Sequence, residues 1–128
     1  MRYPIVIEPG DDSTAFGVVV PDLAGCFSAG DTLDEAIANA EEAAAAWIDA
    51  ALDAGQAIPA PSTLAAVRAF QDYAGWTVAV IEVDPALLDD TIERVNISVP
   101  RRVLRRIDAK ARERGETRSS YIANMAIG

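Results

Sequence analysis

Thr91–Gly128 reads TIERVNISVPRRVLRRIDAKARERGETRSSYIANMAIG, and the fold turns on how this stretch is read. Its start alternates, with Glu93, Val95, Ile97 and Val99 on one face and Ile92, Arg94, Asn96 and Ser98 on the other. A period of two predicts a strand. Pro100 then opens a helix, since its fixed φ and missing N–H cost little at a first helical position. Val103, Leu104, Ile107 and Ala111 form that helix's apolar stripe, and Gly115 ends it. Thr117 is placed to cap a second helix whose apolar side is Tyr121, Ile122 and Met125. The predicted order is strand, helix, helix.

A lone strand leaves its N–H and C=O groups unpaired, and even an isolated hairpin is marginal in water. The natural partner is the same strand of a second chain. Two copies give an antiparallel ribbon above four helices, with Val95, Ile97 and Val99 inward and Arg94, Asn96 and Ser98 outward. Such a ribbon fits the DNA major groove, where polar side chains read base edges. The plain alternative makes residues 92–98 a fifth strand of a single sheet, with those polar residues as its wet face. Arginines 101, 102, 105, 106, 112 and 114 read mainly as a solvated helix face, with a few able to touch phosphates.

The run RVNISVPRRVLRRIDAKARERGETRSSYI resembles a ribbon-helix-helix domain of the Arc and methionine-repressor type. The resemblance implies that Arg94, Asn96 and Ser98 read bases. It implies that the backbone N–H groups of Arg118 and Ser119 grip a phosphate, as exposed helix N-termini do. It implies a homodimer core of Val95, Ile97, Val99, Leu104, Ile107 and Ile122. The second helix, little more than ten residues long, is shorter than is usual in that family.

Charge separates this stretch from the rest. Residues 1–90 hold sixteen Asp and Glu against two Arg, a net of −14; residues 91–128 hold nine Lys and Arg against four Asp and Glu, a net of +5. The acidic part repels nucleic acid and the basic part attracts it, which predicts two modules with different partners. At 128 residues the chain has room for one medium domain or two small ones. No apolar run is long enough to span a membrane. One cysteine, Cys26, and the lack of a secretory leader point to a reducing cytoplasm. The absence of histidine removes the commonest general base and zinc ligand, and no cofactor is expected.

In the acidic part, Arg2–Glu8 predicts a first strand with apolar residues on both faces, and Ala15–Val20 a second, joined through the Pro9–Ser13 turn. Cys26–Ala29 is a short third strand. Thr32-Leu33-Asp34-Glu35 matches a capping box, and a helix from about Leu33 to Ala54 follows, ended by Gly55. Residues 56–62 are a proline-rich connector, 64–70 a helical turn, and Trp76–Val83 a fourth strand. The expected class is α+β: β-β-β-α-β with one long helix on a small sheet over 1–83, a linker over 84–90, and β-α-α over 91–128.

PDLAGCFSAGDTLDEAIANAEEAAAAWIDAALDAGQAIPAPS is similar to the N-terminal domain of HicB-type antitoxins, in Pro21, Asp22, Leu23, Gly25, Cys26, Gly30, Thr32, Glu35, Ala36, Asn39, Ala40 and Glu42. That family implies a partial ribonuclease-H-like sheet followed by a DNA-binding module, here the ribbon-helix-helix. It implies a chain that binds a HicA-like RNA-cleaving toxin and represses its own operon at the operator. Glu8, Asp11, Asp12 and Asp22 are candidate toxin contacts. A nuclease is not expected, because Asp11, Asp12, Asp22 and Asp31 lie in turns and at a helix start, whereas metal-dependent cleavage needs converging strand carboxylates. A repressor whose first module senses a small molecule is the rival reading. Cys26, Trp47 and Trp76 read as core.

Overall fold

A computed structural model describes residues 1–127. Its contacts divide the chain into two compact units, Met1–Asp90 and the residues from Thr91 onward.

The first unit is built on β1 (Arg2–Glu8), β2 (Phe16–Val19), β3 (Phe27–Gly30) and β4 (Thr77–Glu82). The sheet is antiparallel throughout, in the order β3-β2-β1-β4. β1 is central, which explains its apolar residues on both faces: positions 3–7 are all buried. Tyr3, Ile5, Ile7, Val18, Val20 and Ile81 face α1 (Leu33–Asp53) and form the core with its buried side. That side is Ala36, Ala40, Ala44, Ile48 and Ala51, so the alanine run is a packing surface. The β-β-β-α-β order is the expected one.

Local chemistry sets the ends of α1. Thr32 Oγ1 accepts from the Glu35 N–H at 3.1 Å. Gly55 takes φ +72°, and the Gln56 and Gly55 N–H groups close back on the carbonyls of Ala51 and Leu52, at 2.8 and 3.0 Å. This double return satisfies carbonyls that the helix leaves open, and glycine adopts the required left-handed turn without a Cβ penalty. A short helix, α2 (Leu64–Arg68), follows the connector and is capped by Thr63 Oγ1. It packs on β1 and β4 and buries Val67.

Several boundaries differ from expectation. Cys26 lies just outside β3, though its carbonyl accepts from Val20 N–H at 3.0 Å, and it is buried as expected. Trp76 lies outside β4 and packs its ring against Tyr73, centroids 5.2 Å apart, because Gly75 turns the chain at φ +85° just before it. Trp47 is partly buried against the core and donates to the Ala24 carbonyl at 3.0 Å.

The second unit holds α3 (Arg101–Glu113) and α4 (Arg118–Ile127). Pro100 is the residue before the first helical turn and not its first member; its carbonyl accepts from Val103 and Leu104, both at 3.0 Å. Gly115 ends α3 at φ +67°, with the Glu116 N–H returning to Ala111 at 2.8 Å. Thr117 caps α4 by accepting from Ser120 N–H at 3.1 Å. Residues 92–99 form no strand in the single chain. A ladder needs a partner, and the sheet of the first unit stops at four strands without them. The fifth-strand alternative is therefore not what the chain does.

Candidate functional site

Unit two leaves an apolar seam open. Ile92, Val95 and Ile97 are 96%, 72% and 61% exposed in the single chain. Such exposure is costly at about 25 cal/mol per Å². The segment, α3 and α4 enclose an open groove of about 740 Å³. All six residues of the expected dimer core line it: Val95, Ile97, Val99, Leu104, Ile107 and Ile122. Arg94 and Asn96 also line the groove, and Arg94, Asn96 and Ser98 are all exposed. In the single chain, residues of both faces of the alternation line this groove, Ile92, Arg94 and Asn96 together with Val95, Ile97 and Val99.

The start of α4 is held by α3. Arg118 Nε and Nη2 donate to Asp108 Oδ1 and Oδ2 at 2.8 and 3.0 Å. This two-pronged bond, with the guanidinium charge behind it, holds the Asp108 carboxyl below the ordinary carboxylate range and raises Arg118. The Arg118 side chain is thus occupied, while the backbone N–H groups of Arg118 and Ser119 sit in the first turn, where a helix has no internal acceptors. Tyr121 is buried beneath Arg114, whose guanidinium carbon is 5.4 Å from the ring centroid. The spacing of Asp108 and Arg118, ten residues across a turn, gave no signal for this pair in the sequence.

In unit one the four acidic candidates do not converge. Glu8 ends β1, and Asp11 and Asp12 occupy the following turn. Asp11 Oδ1 accepts from the Ser13 N–H and Oγ at 2.8 and 2.9 Å, and these bonds lower its pKa. Asp22 lies in the β2–β3 loop, at the other end of the sheet. It accepts from the Ser62 N–H at 2.8 Å and Ser62 Oγ at 2.5 Å. Beside this tie, Tyr3 Oη donates to the Pro59 carbonyl at 2.6 Å. Burial, and secondarily the Asp22 charge, holds the Tyr3 phenol above its ordinary range. Asp22 and Tyr3 thus staple the proline-rich connector to the sheet. Among the described residues no cluster of three metal-ligating side chains forms, and no helix is long and apolar enough to cross a membrane.

Comparison with known proteins bears on both units. Residues 3–126 match the family model described as HicB_like antitoxin of bacterial toxin-antitoxin system. A protein of Haemophilus phage HP1, described as an uncharacterized 14.9 kDa protein in the rep-hol intergenic region, is 38% identical, over 98% of this chain and 95% of its own. The crystal structure of the Burkholderia pseudomallei antitoxin HicB is similar at TM-score 0.63 and 39% identity, covering 99% of this chain and 96% of that one. A chain of the HicA3 and HicB3 toxin-antitoxin complex matches at TM-score 0.56 and 33% identity, over 66% of this chain and all (100%) of that one.

Proposed function

This chain belongs to the HicB-like antitoxin family, and from that premise we propose that it neutralises a HicA-like toxin with its acidic unit and represses its own operon with its basic one. The observation that carries the reading is the division of charge between two compact units. The unit ending at Asp90 has a net charge of −14 and the remainder +5. An RNA-cleaving toxin presents a cationic surface to its substrate. A strongly acidic unit complements that surface, speeds the encounter and excludes RNA. The likeness to a chain of the HicA3 and HicB3 toxin-antitoxin complex supports the same partner.

The basic unit acts as a dimer. Segments 92–99 of two chains pair antiparallel, bury the seam of Val95, Ile97 and Val99 against Leu104, Ile107 and Ile122, and become strands by doing so. The ribbon-helix-helix resemblance and the open groove that all six residues line both support this arrangement. Arg94, Asn96 and Ser98 then face the major groove and read bases. The free N–H groups of Arg118 and Ser119 hold a phosphate at the start of α4. The Asp108 pair keeps that helix end in place. The chain acts by binding in the cytoplasm and carries out no reaction of its own.

A fragment of residues 1–90 carries the whole sheet and its core. Expressed with the toxin encoded beside this chain, it should restore growth while failing to bind the operator. If the fragment folds by circular dichroism and growth is not restored, the division of labour is wrong.

A further inference from the structure

Half of the outer sheet face in unit one is bare. Alternation turns Gly17, Val19, Phe27 and Ala29 away from α1, and the register places Val19 beside Phe27 and Gly17 beside Ala29. On β1 and part of β4 this outer face is covered by α2, where Val6 and Val67 are buried, while Val80 on β4 stays 45% exposed. On β2 and β3 it is not: Phe27 is 72% exposed and Ala29 is exposed.

Gly17 has no reason within the fold to be glycine. At Gly10 and Gly30 a Cβ would lie 2.5 Å from backbone atoms, and Gly25, Gly55, Gly75 and Gly115 have positive φ. Gly17 shows neither constraint; its Cβ would meet only the Glu8 side chain, at 3.6 Å or more. Glycine weakens a strand interior and is kept where another backbone comes close. Within the unit none comes close on that side. The result is a flat apolar floor with Phe27 standing over it.

The surroundings are acidic. Glu8 lies against Gly17, and Asp11, Asp12 and Asp31 sit at the same end of the sheet. The unit's two arginines are Arg2, bonded to Glu82 at the opposite end of β1, and Arg68 on α2. The β3 edge itself is partly closed, because Asn39 Nδ2 donates to the Ala29 carbonyl at 2.9 Å. The face is therefore more available than the edge.

We infer that this face, Phe27, Val19 and Ala29 over Gly17 with Glu8 at its rim, seats a basic protein, the toxin of the pair proposed above. Two acidic units would repel across the same surface, whereas a cationic protein is drawn to it. The inference rests on the antitoxin reading and adds the place of contact.

The test is the full chain titrated calorimetrically with a catalytically disabled HicA-like protein encoded beside it. Phe27→Ser removes the anchor from an exposed position. Gly17→Lys sets a cationic side chain on the floor, where there is room for it. Each should keep its unfolding temperature and weaken binding by roughly tenfold or more, the loss typical of a hot spot. Val80→Ser, at the other edge of the sheet, should bind as the parent does. Parent binding with both face variants within about twofold of it would overturn the inference and leave the antitoxin reading standing. No binding by the parent would remove both. Unchanged toxin affinity with a smaller oligomer in light scattering would assign the face to a second copy, and would overturn the inference as well.

Discussion

Replacing Ile97 by alanine tests the paired ribbon most directly. Ile97 is 61% exposed in the single chain and lines the groove between the segment and the two helices. Full burial of such a side chain is worth about 1.5–3 kcal/mol, so the exposed part leaves on the order of 1–2 kcal/mol per chain to be gained on pairing. A two-fold ribbon counts the residue in both chains, and alanine keeps one carbon of each. The dimer should therefore lose roughly 2–3 kcal/mol, about a 30- to 150-fold rise in its dissociation constant. Sedimentation equilibrium over a dilution series measures that constant. Ser98→Ala is the internal control, because Ser98 is exposed, lies on the other face of the alternation and does not line the groove. It should dissociate within about threefold of the parent, a surface-like effect. Hydrogen exchange of residues 92–99 should slow as concentration rises, since their amides gain partners only in the dimer. Equal dissociation of the parent and Ile97→Ala, or rapid exchange of these amides at every concentration, would refute the pairing.

Asn96→Ala should cost about 1–3 kcal/mol on the operator with little change on random-sequence DNA, measured by fluorescence anisotropy at fixed salt; toxin binding should be untouched. Acid should loosen the start of α4. Arg118 holds the Asp108 pKa down, so the pair contributes fully above the unfolded value, about 3.9, and the contribution is lost as pH falls through the lower folded value. An NMR titration should show the Arg118 Nε signal moving only in that acid range, and Asp108→Asn should abolish the step. Ile48→Ala removes a fully buried side chain (0% exposed) from the middle of the sheet–helix core; it should cost about 2–5 kcal/mol by urea unfolding.

What could be read from the sequence was what is decided within a few residues. Thr32, Gly55, Gly115 and Thr117 end or begin helices through bonds spanning five residues or fewer, and each does what its local pattern implied. The run of apolar residues on both faces of β1 was legible too, and it follows from the strand's central place in the sheet. What spans distance was not legible. Asp22 read as a turn residue and candidate toxin contact, and nothing in the sequence tells that Ser62, forty positions on, comes back to it. Asp108 and Arg118 meet only after Gly115 has reversed the chain. The segment 92–99 has the composition of a strand, but it forms none in the single chain, and composition alone does not name a partner for its hydrogen bonds. The bare quarter of the sheet around Gly17 needed the register of three strands before it could be seen at all.

The long helix meets the sheet through Ala36, Ala40 and Ala44, each at most 1% exposed. Small contact residues let a helix axis ride low over its neighbour. Such an interface has almost nothing left to trim and no slack to absorb growth, for an added methylene group in a filled core forces neighbours off their rotamers at a typical cost of about 1–3 kcal/mol. Sequence drift at these three positions is therefore narrow in both directions. Divergence in this chain should collect instead on the helix's acidic outer side and in the two surfaces proposed for binding, where a changing partner can be followed without disturbing the frame that presents it.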